Sequence, residues 1–145
     1  MKNFQNLLGG LAGALALNFL HETIRRLDHD APRIDLVGEE ALSHVVESTG
    51  HDAPTGNSLY GATLAADITA NSMFYALIGK GKDENLLIRG AVYGIVAGAG
   101  ALALTKPMGL DDTPITKTSK TKLLTMAWYL AGGLVTACTI KALRK

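Results

Sequence analysis

One acidic side chain stands alone in the middle of a long apolar stretch. Asp67 lies among uncharged residues from Asn57 to Gly79, and Asn71 follows it one helical turn later. If the stretch crosses a bilayer, a central aspartate costs about 2.5 to 3.5 kcal/mol and is by default a candidate functional site. A carboxylate beside an amide could bind a cation, relay a proton or recognise a polar solute. A protonated Asp67 that only bonds to another helix is an equally good interpretation.

A second polar group ends the first apolar stretch of the chain. It contains Asn18, His21, Glu22, Arg25 and Arg26. Two pairs are four residues apart, His21 with Arg25 and Glu22 with Arg26, and such pairs are ordinary on a solvent-exposed helix end. In the alternative interpretation, Asn18, His21 and Glu22 reach the same polar cavity as the central aspartate. A histidine there would suit a proton-coupled step.

Both groups belong to stretches that are nearly free of charge. Four such windows cover residues 4–20, 58–79, 86–104 and 123–140. A helix rises about 1.5 Å per residue, so each window crosses most or all of a hydrocarbon core of about 30 Å. Every Lys and Arg lies outside them except Arg89, whose side chain can extend to the headgroups. The sequence predicts an all-α, four-transmembrane-helix bundle, a single integral membrane domain over residues 1–145. A water-soluble helical bundle is the alternative.

The connection between the first two windows is acidic and contains its own helical pattern. Residues 21–57 hold eight acids and three arginines, a net charge of −5. Apolar and polar residues repeat at helical spacing over residues 36–49, which predicts a short amphipathic interfacial helix between the first and second spans. Asp35 is expected to cap its start and Gly50 to end it. Because its polar face is acidic, docking on the bundle or on a partner protein is favoured over anionic lipid.

The last third of the sequence supports three smaller predictions. Residues 105–122 are rich in Thr, Ser, Lys and Pro without apolar periodicity, which predicts a mobile loop. Trp128 and Tyr129 lie near the start of the last window, where aromatic side chains commonly anchor a helix at the membrane surface. Cys138 lies within an apolar run and is expected to be a small core residue.

Small residues recur where helices in a membrane would pack. Because apolar burial does not drive helix association in lipid, helices approach closely where glycines allow it. The GxxxG spacing and its neighbours predict helix packing at Gly9, Gly13, Gly90, Gly94, Gly98, Gly132 and Gly133.

The distribution of positive charge does not determine the orientation in the membrane. With four spans, seven Lys and Arg residues lie on the side of the termini and seven on the other. The tie leaves two interpretations open, an orientation decided by the first helix or a partner, and dual topology with copies inserted both ways. The formal net charge of +1 gives no field that would attract nucleic acid, and no nucleic-acid partner is expected.

No sequence motif specifies catalysis, a metal site or a cofactor. His21, His29, His44 and His51 lie at or beyond the window boundaries, so no facing pair could hold a haem at mid-depth. No phosphate-binding or nucleotide-binding glycine motif occurs. We therefore expect no catalytic residue, no metal and no cofactor.

The leading functional hypothesis is a small oligomeric membrane protein. It would form an intramembrane polar site or pathway for an ion or small solute from Asp67, Asn71, Asn18, His21 and Glu22. Its partners would be the lipid bilayer and either further copies of the chain or another membrane protein, in a bacterial inner (cytoplasmic) membrane. One alternative is a non-catalytic accessory or scaffold subunit of a larger membrane complex. The other is a membrane-embedded enzyme acting on lipid, with His21, Glu22 and Asp67 as acid and base.

Overall fold

A computed structural model describes residues 1–145 as helices and short connections, without β-strands. Six α-helices follow one another: α1 (Lys2–Ile24), α2 (Ile34–Ser48), α3 (Gly56–Ala76), α4 (Leu86–Leu104), α5 (Thr113–Thr116) and α6 (Ser119–Leu143). A 3-10 helix (Leu77–Lys80) continues α3, and another (Asp83–Asn85) leads into α4. The all-α prediction is confirmed.

Three of the four predicted windows are long and apolar enough to cross a membrane. They correspond to the helical segments Lys2–Ile24, Asp83–Leu104 and Ser119–Leu143. The remaining window forms α3, which is not apolar enough to count as a candidate span. It contains Asp67, two asparagines and several hydroxyl side chains. The chain thus has three candidate spanning helices, and a fourth span through α3 stays a prediction.

The four long helices pack antiparallel to their neighbours. Helix α1 lies between α3 and α6, and α4 packs on the far side of α6. Near the start of α1, Gly10 meets the Ser72 carbonyl late in α3, whereas Asn18 meets Asp67 earlier in α3. These contacts run along most of α1, so α3 covers the same height of the bundle.

The bundle therefore has two ends of different composition. The termini end holds residues 1–6, 77–89 and 140–145, where α1 and α4 begin and α3 and α6 finish. The loop end holds residues 18–67 and 101–129, including α2 and α5.

Glycines lie where the backbones of neighbouring helices meet. A Cβ atom on Gly90 would lie 2.6 Å from the Gly133 carbonyl oxygen, and one on Gly94 would lie 2.6 Å from Cα of Leu130. These distances are too short for a larger side chain, so α4 and α6 approach this closely because the residues are glycines. The other glycines expected at helix contacts also face a neighbouring helix: Gly9, Gly13, Gly98 and Gly132.

Large apolar side chains cover the outward faces of α1 and α4. Phe4 and Phe19 on α1 are 65% and 70% exposed, and Ile88 on α4 is 66% exposed. Exposed apolar faces of this kind mark contacts with protein or membrane. Together with the three candidate spans, they are consistent with a membrane protein.

Helix α2 is the helix predicted over residues 36–49. Gly50 follows its last turn with φ +82°, as predicted for a glycine that ends a helix. Its start differs from the prediction, because Arg33 occupies the N-cap position and no side chain caps the helix. Asp35 instead pairs with Arg33 and with α1. Helix α2 packs on α3 and α5, and none of its residues is fully buried. Its place at a membrane interface stays a prediction.

The connection predicted as a mobile loop contains a short docked helix. Within residues 105–122, α5 places Ile115 in the interior, where it is only 1% exposed. The Arg33 N–H also donates to the Pro114 carbonyl oxygen at 3.0 Å. The loop prediction is wrong here because one buried isoleucine docks the segment without any apolar periodicity.

Two predictions about α6 are corrected by its central position. Trp128 and Tyr129 are buried against Leu17 and Ala31, so they are core residues and not membrane-surface anchors. Two faces of α6 are covered because this helix packs between α1 and α4. Cys138 is exposed and not in the core. It lies next to the buried Ala137, about 100° around the helix.

Arg144 ties three elements together at the termini end. Its Nη2 donates to Asn6 Oδ1 at 2.6 Å and to the Gly79 carbonyl oxygen at 2.8 Å, and its Nη1 pairs with Asp83. The side chain is only 6% exposed. Arg144 therefore joins the end of α6 to the start of α1 and to the turn after α3.

Arg89 contacts the same turn from α4. Its Nε donates to the Ile78 carbonyl oxygen at 2.8 Å and its Nη2 to that of Leu77 at 2.9 Å. Its guanidinium carbon also lies 5.8 Å from the centroid of the Tyr93 ring. The carbonyl oxygens at a helix C-terminus are the negative end of its dipole and favour a cation. Arg89 thus binds α3 within the chain, in place of the predicted contact with headgroups.

Candidate functional site

Asp67 accepts hydrogen bonds from two amide side chains. Asn18 on α1 donates from Nδ2 to Asp67 Oδ2 at 2.8 Å, and Asn71 donates from Nδ2 to Asp67 Oδ1 at 2.9 Å. Asn18 also donates to the Ala14 carbonyl oxygen at 3.0 Å. Both carboxylate oxygens are therefore oriented by N–H donors from two different helices.

Asp67 belongs to a polar row along one face of α3. Tyr60, Thr63, Asp67 and Asn71 follow one another at spacings of three or four residues, which places them on the same side of the helix. Thr63 is 6% exposed, yet its hydroxyl has no hydrogen-bond partner. Gly38 of α2 covers it so closely that a Cβ on Gly38 would lie 2.8 Å from Thr63 Cγ2. A buried hydroxyl without a partner costs about 1 to 3 kcal/mol, so Thr63 is an acceptor and donor available to a ligand.

Asp35 is the centre of the charged cluster at the loop end. It lies 2.6 Å from Arg33 Nη2 and 2.9 Å from Arg33 Nε, a bidentate pair, with Arg25 Nη1 at 3.7 Å. Burial alone would raise the pKa of the Asp35 carboxyl, but the contacts with Arg33 and His21 outweigh it and hold the pKa well below its usual range. Asp35 is thus a stable carboxylate that fastens α2 to α1.

Glu22 is neutralised by a second arginine. Arg25 Nη2 donates to Glu22 Oε2 at 2.8 Å, and Arg26 Nη2 lies 3.6 Å from the same oxygen. The Tyr60 hydroxyl of α3 donates to Glu22 Oε1. The predicted pair of Glu22 with Arg26 is therefore present but secondary to the pair with Arg25.

His21 is buried and faces two acids, although it was expected at a solvated helix end. It is 5% exposed and meets the Trp128 ring edge-on, with 5.6 Å between ring centroids. Its Nε2 lies 3.2 Å from Asp35 Oδ1, but the alignment is too poor for a regular hydrogen bond. Its Nδ1 lies 3.6 Å from Glu22 Oε1. The predicted pair with Arg25 does not form, because His21 points into the bundle.

These residues line one pocket between α1, α2 and α3. Its enclosed space is small, about 30 Å³, and the pocket is partly open to the outside. The lining residues are Leu17, Asn18, His21, Glu22, Ile34, Asp35, Gly38, Tyr60, Thr63, Leu64 and Asp67. The pocket therefore contains four of the five residues proposed for the site, and the fifth, Asn71, bonds to Asp67.

The three carboxylates of the pocket differ in their counter-charges. Glu22 and Asp35 each lie within 4.0 Å of an arginine nitrogen. Asp67 has no Lys, Arg or His within that distance and is held by amides alone. No group of three or more His, Cys, Asp or Glu side chains is arranged to hold a metal ion. Asp67 is therefore the one acid of the pocket whose charge the chain itself leaves uncompensated.

Two residues of the pocket had little signal in the sequence. Asp35 resembles a helix cap by its position, and its role depends on Arg33, two residues before it, and on His21, which approaches it only in the fold. Thr63 is one of many hydroxyl residues, although its spacing of four from Asp67 on α3 could have identified it.

Comparison with known proteins gives this chain no family. No protein-family model matches it, and no curated protein or solved structure matches it. A function therefore has to be inferred from its own residues.

Proposed function

We propose that this chain is a small membrane protein with an intramembrane polar site or pathway for a cation or small polar solute, centred on Asp67. One observation carries the proposal: Asp67 is oriented by Asn18 and Asn71 but has no cation of the chain beside it. An ionised carboxylate at that depth is costly in lipid, and a bound cation reduces the cost. Asp67 should therefore attract a cation into the pocket.

The proposal includes α3 as a fourth span. Its contacts with α1 extend from Gly10 against Ser72 to Glu22 against Tyr60, which is nearly the full length of α1. Packing along a candidate spanning helix over that distance supports placing α3 in the same membrane. The modest hydropathy of α3 is explained by its polar row, which faces α1 and not lipid. Helix α2 would then lie at the interface over the pocket.

We also propose that the chain forms a homo-oligomer in a bacterial inner membrane. Beside the large apolar faces of α1 and α4, the outward face of α3 carries small side chains, among them Gly61, Ala65 and Thr69, all exposed. Small residues let membrane helices approach closely, so a second copy could cover this face. Extraction in mild detergent should yield a complex of this chain alone. A complex that always contains another membrane protein would favour the accessory-subunit alternative.

Flux through reconstituted vesicles tests the proposed function. Purified protein in proteoliposomes should pass protons or monovalent cations, followed with trapped dyes for each. Asp67→Asn keeps the shape and removes the charge, so flux should fall at least tenfold. The matched control is Asp52→Asn, which makes the same change on an exposed residue outside the pocket and should behave as wild type. Equal flux for a folded Asp67→Asn protein and wild type would contradict the proposal.

A further inference from the structure

We propose that the pocket takes a protonated amine with a short apolar group, a monovalent organic cation whose ammonium lies between Asp67 and Thr63. This rests on the proposed function and names the chemical class of its ligand. Three properties of the pocket carry the inference: its unmatched charge, its unused hydrogen-bonding groups and its apolar wall.

The charge of the pocket suits a ligand with a single positive charge. Arg25 and Arg33 neutralise Glu22 and Asp35, so these two acids do not attract a further cation. Asp67 supplies one unmatched negative charge in the wall of the same pocket. A divalent ion would bring an excess charge into a partly buried site, which is costly.

The free hydrogen-bonding groups match an ammonium group. A carboxylate offers about four lone-pair positions, and the two amides occupy one on each oxygen of Asp67, so acceptor positions remain. Thr63 lies one turn away on the same face, and its buried hydroxyl has no partner. An ammonium has N–H donors in several directions and could donate to both residues. The Thr63 hydroxyl would then have a hydrogen-bond partner.

A bare metal ion matches the same groups less well. Ions such as Ca²⁺ take six to eight oxygen ligands. Here two N–H groups, from Asn18 and Asn71, point at the only free carboxylate and present their positive ends. A metal ion could use the same free lone pairs of Asp67, but Asp67 and Thr63 supply far fewer oxygen ligands than such an ion requires.

The apolar part of the wall accounts for the organic group. Leu17, Ile34 and Leu64 line the pocket beside its polar residues. The small enclosed space takes the ammonium group, so a chain of about four carbons would lie along these residues toward the opening. It would bury only part of its surface, at up to roughly 0.8 kcal/mol for each CH₂ group. The ligand class is therefore a small alkylammonium and not a bare ammonium ion.

Trp128 provides a direct measurement of occupancy. It is the only tryptophan of the chain, is buried, and meets His21, which lines the pocket. Titrating the detergent-solubilised protein with n-butylammonium chloride at constant ionic strength should give a saturable change in its fluorescence. Potassium ions and n-butanol, which lack the organic part and the charge respectively, should give none at the same concentration.

Variants connect that binding to the two named residues. Asp67→Asn should weaken n-butylammonium binding at least tenfold, and Thr63→Val about threefold to tenfold, with Thr63→Ser restoring it. Asp52→Asn should bind as wild type does. Thr63→Val and Thr63→Ser keep the test decisive if Asp67→Asn does not fold.

The outcomes separate this inference from the proposed function. If potassium saturates the signal and competes with n-butylammonium, or if n-butanol binds as well as the amine, the amine class is overturned. If no probe binds while Asp67-dependent proton flux persists, the amine class is again overturned and the proposed function stands. If the amine binds through Asp67 but no flux depends on that residue, the inference stands and the pathway fails.

Discussion

The two ends of the bundle use arginine for different purposes. At the termini end, Arg89 and Arg144 donate to carbonyl oxygens of the segment that follows α3, and Arg144 also pairs with Asp83. At the loop end, Arg25 and Arg33 hydrogen-bond to carboxylates only. The termini end is thus fastened by its own chain, whereas the loop end retains Asp67, a carboxylate without a counter-charge. Polar groups hold the structure together in both places, and the second arrangement also places an uncompensated carboxylate in a pocket.

Removing the charge of Asp35 should have the largest effect on stability. Asp35→Asn leaves Arg33 and Arg25 without their shared carboxylate. Asp35 is buried but Arg33 is 37% exposed, so breaking the pair costs at most about 3 kcal/mol, the lower end for a fully buried pair. The loss should be local, with α2 released and the long helices retained. Hydrogen exchange should become faster in α2 and stay unchanged in α6. Equal destabilisation of both helices would contradict the distinction between the two ends.

Acid should reproduce the effect of that substitution. The folded-state pKa of Asp35 lies below its usual value of about 3.9, so its stabilisation is present above that pH and is lost as the pH falls toward the folded-state pKa. The free energy of unfolding of wild type in mild detergent should therefore fall as the pH is lowered from about 5 to below about 3, a range of roughly two pH units. Asp35→Asn should lack this component. A variant with the full wild-type acid response would show that other carboxyls are responsible.

Arg144→Met should have the next largest effect, of about 2 kcal/mol, at the termini end. The change leaves Asn6 and the Gly79 carbonyl oxygen without their donor while keeping most of the apolar side-chain volume. Because this end has no role in the proposed site, binding of n-butylammonium should not change once folding is accounted for. Chemical denaturation and the Trp128 titration measure the two quantities. Weaker ligand binding by folded Arg144→Met would show that the ends are coupled.

Thr118→Ala should have a smaller effect, of about 1 kcal/mol. The Thr118 hydroxyl accepts from the Thr121 N–H and caps the start of α6 at the loop end. Thr139→Ala is the matched control, since that hydroxyl is partly exposed and bonds only to a carbonyl of its own helix. Denaturation of both variants should show a cost for Thr118 alone, and equal costs would argue against the cap.

Much of the architecture follows from patterns that are local in the sequence. Long uncharged windows specify the long helices. The end of α2 was predictable because a glycine ends a helix through the conformation of a short segment of chain. The contacts among Asp67, Asn71 and Asn18 were also predictable in part, since polar side chains in apolar helices tend to hydrogen-bond to one another. The burial of His21 and Trp128 was not, because it depends on α6 lying between α1 and α4. Asp35 was misassigned for the same reason, as its partners come from α1 and from the segment before α2.

The stability of Asp67→Asn with and without n-butylammonium tests the central claim most directly. If Asp67 is an uncompensated carboxylate kept for a ligand, Asp67→Asn should be within about 1 kcal/mol of wild type in stability, because the charge that is costly to bury is removed while one of the two accepted hydrogen bonds is lost. The amine should stabilise wild type in proportion to its occupancy and leave Asp67→Asn unaffected. If instead Asp67→Asn loses more stability than that and the amine stabilises neither protein, Asp67 is a structural bond between α1 and α3, and the account is contradicted.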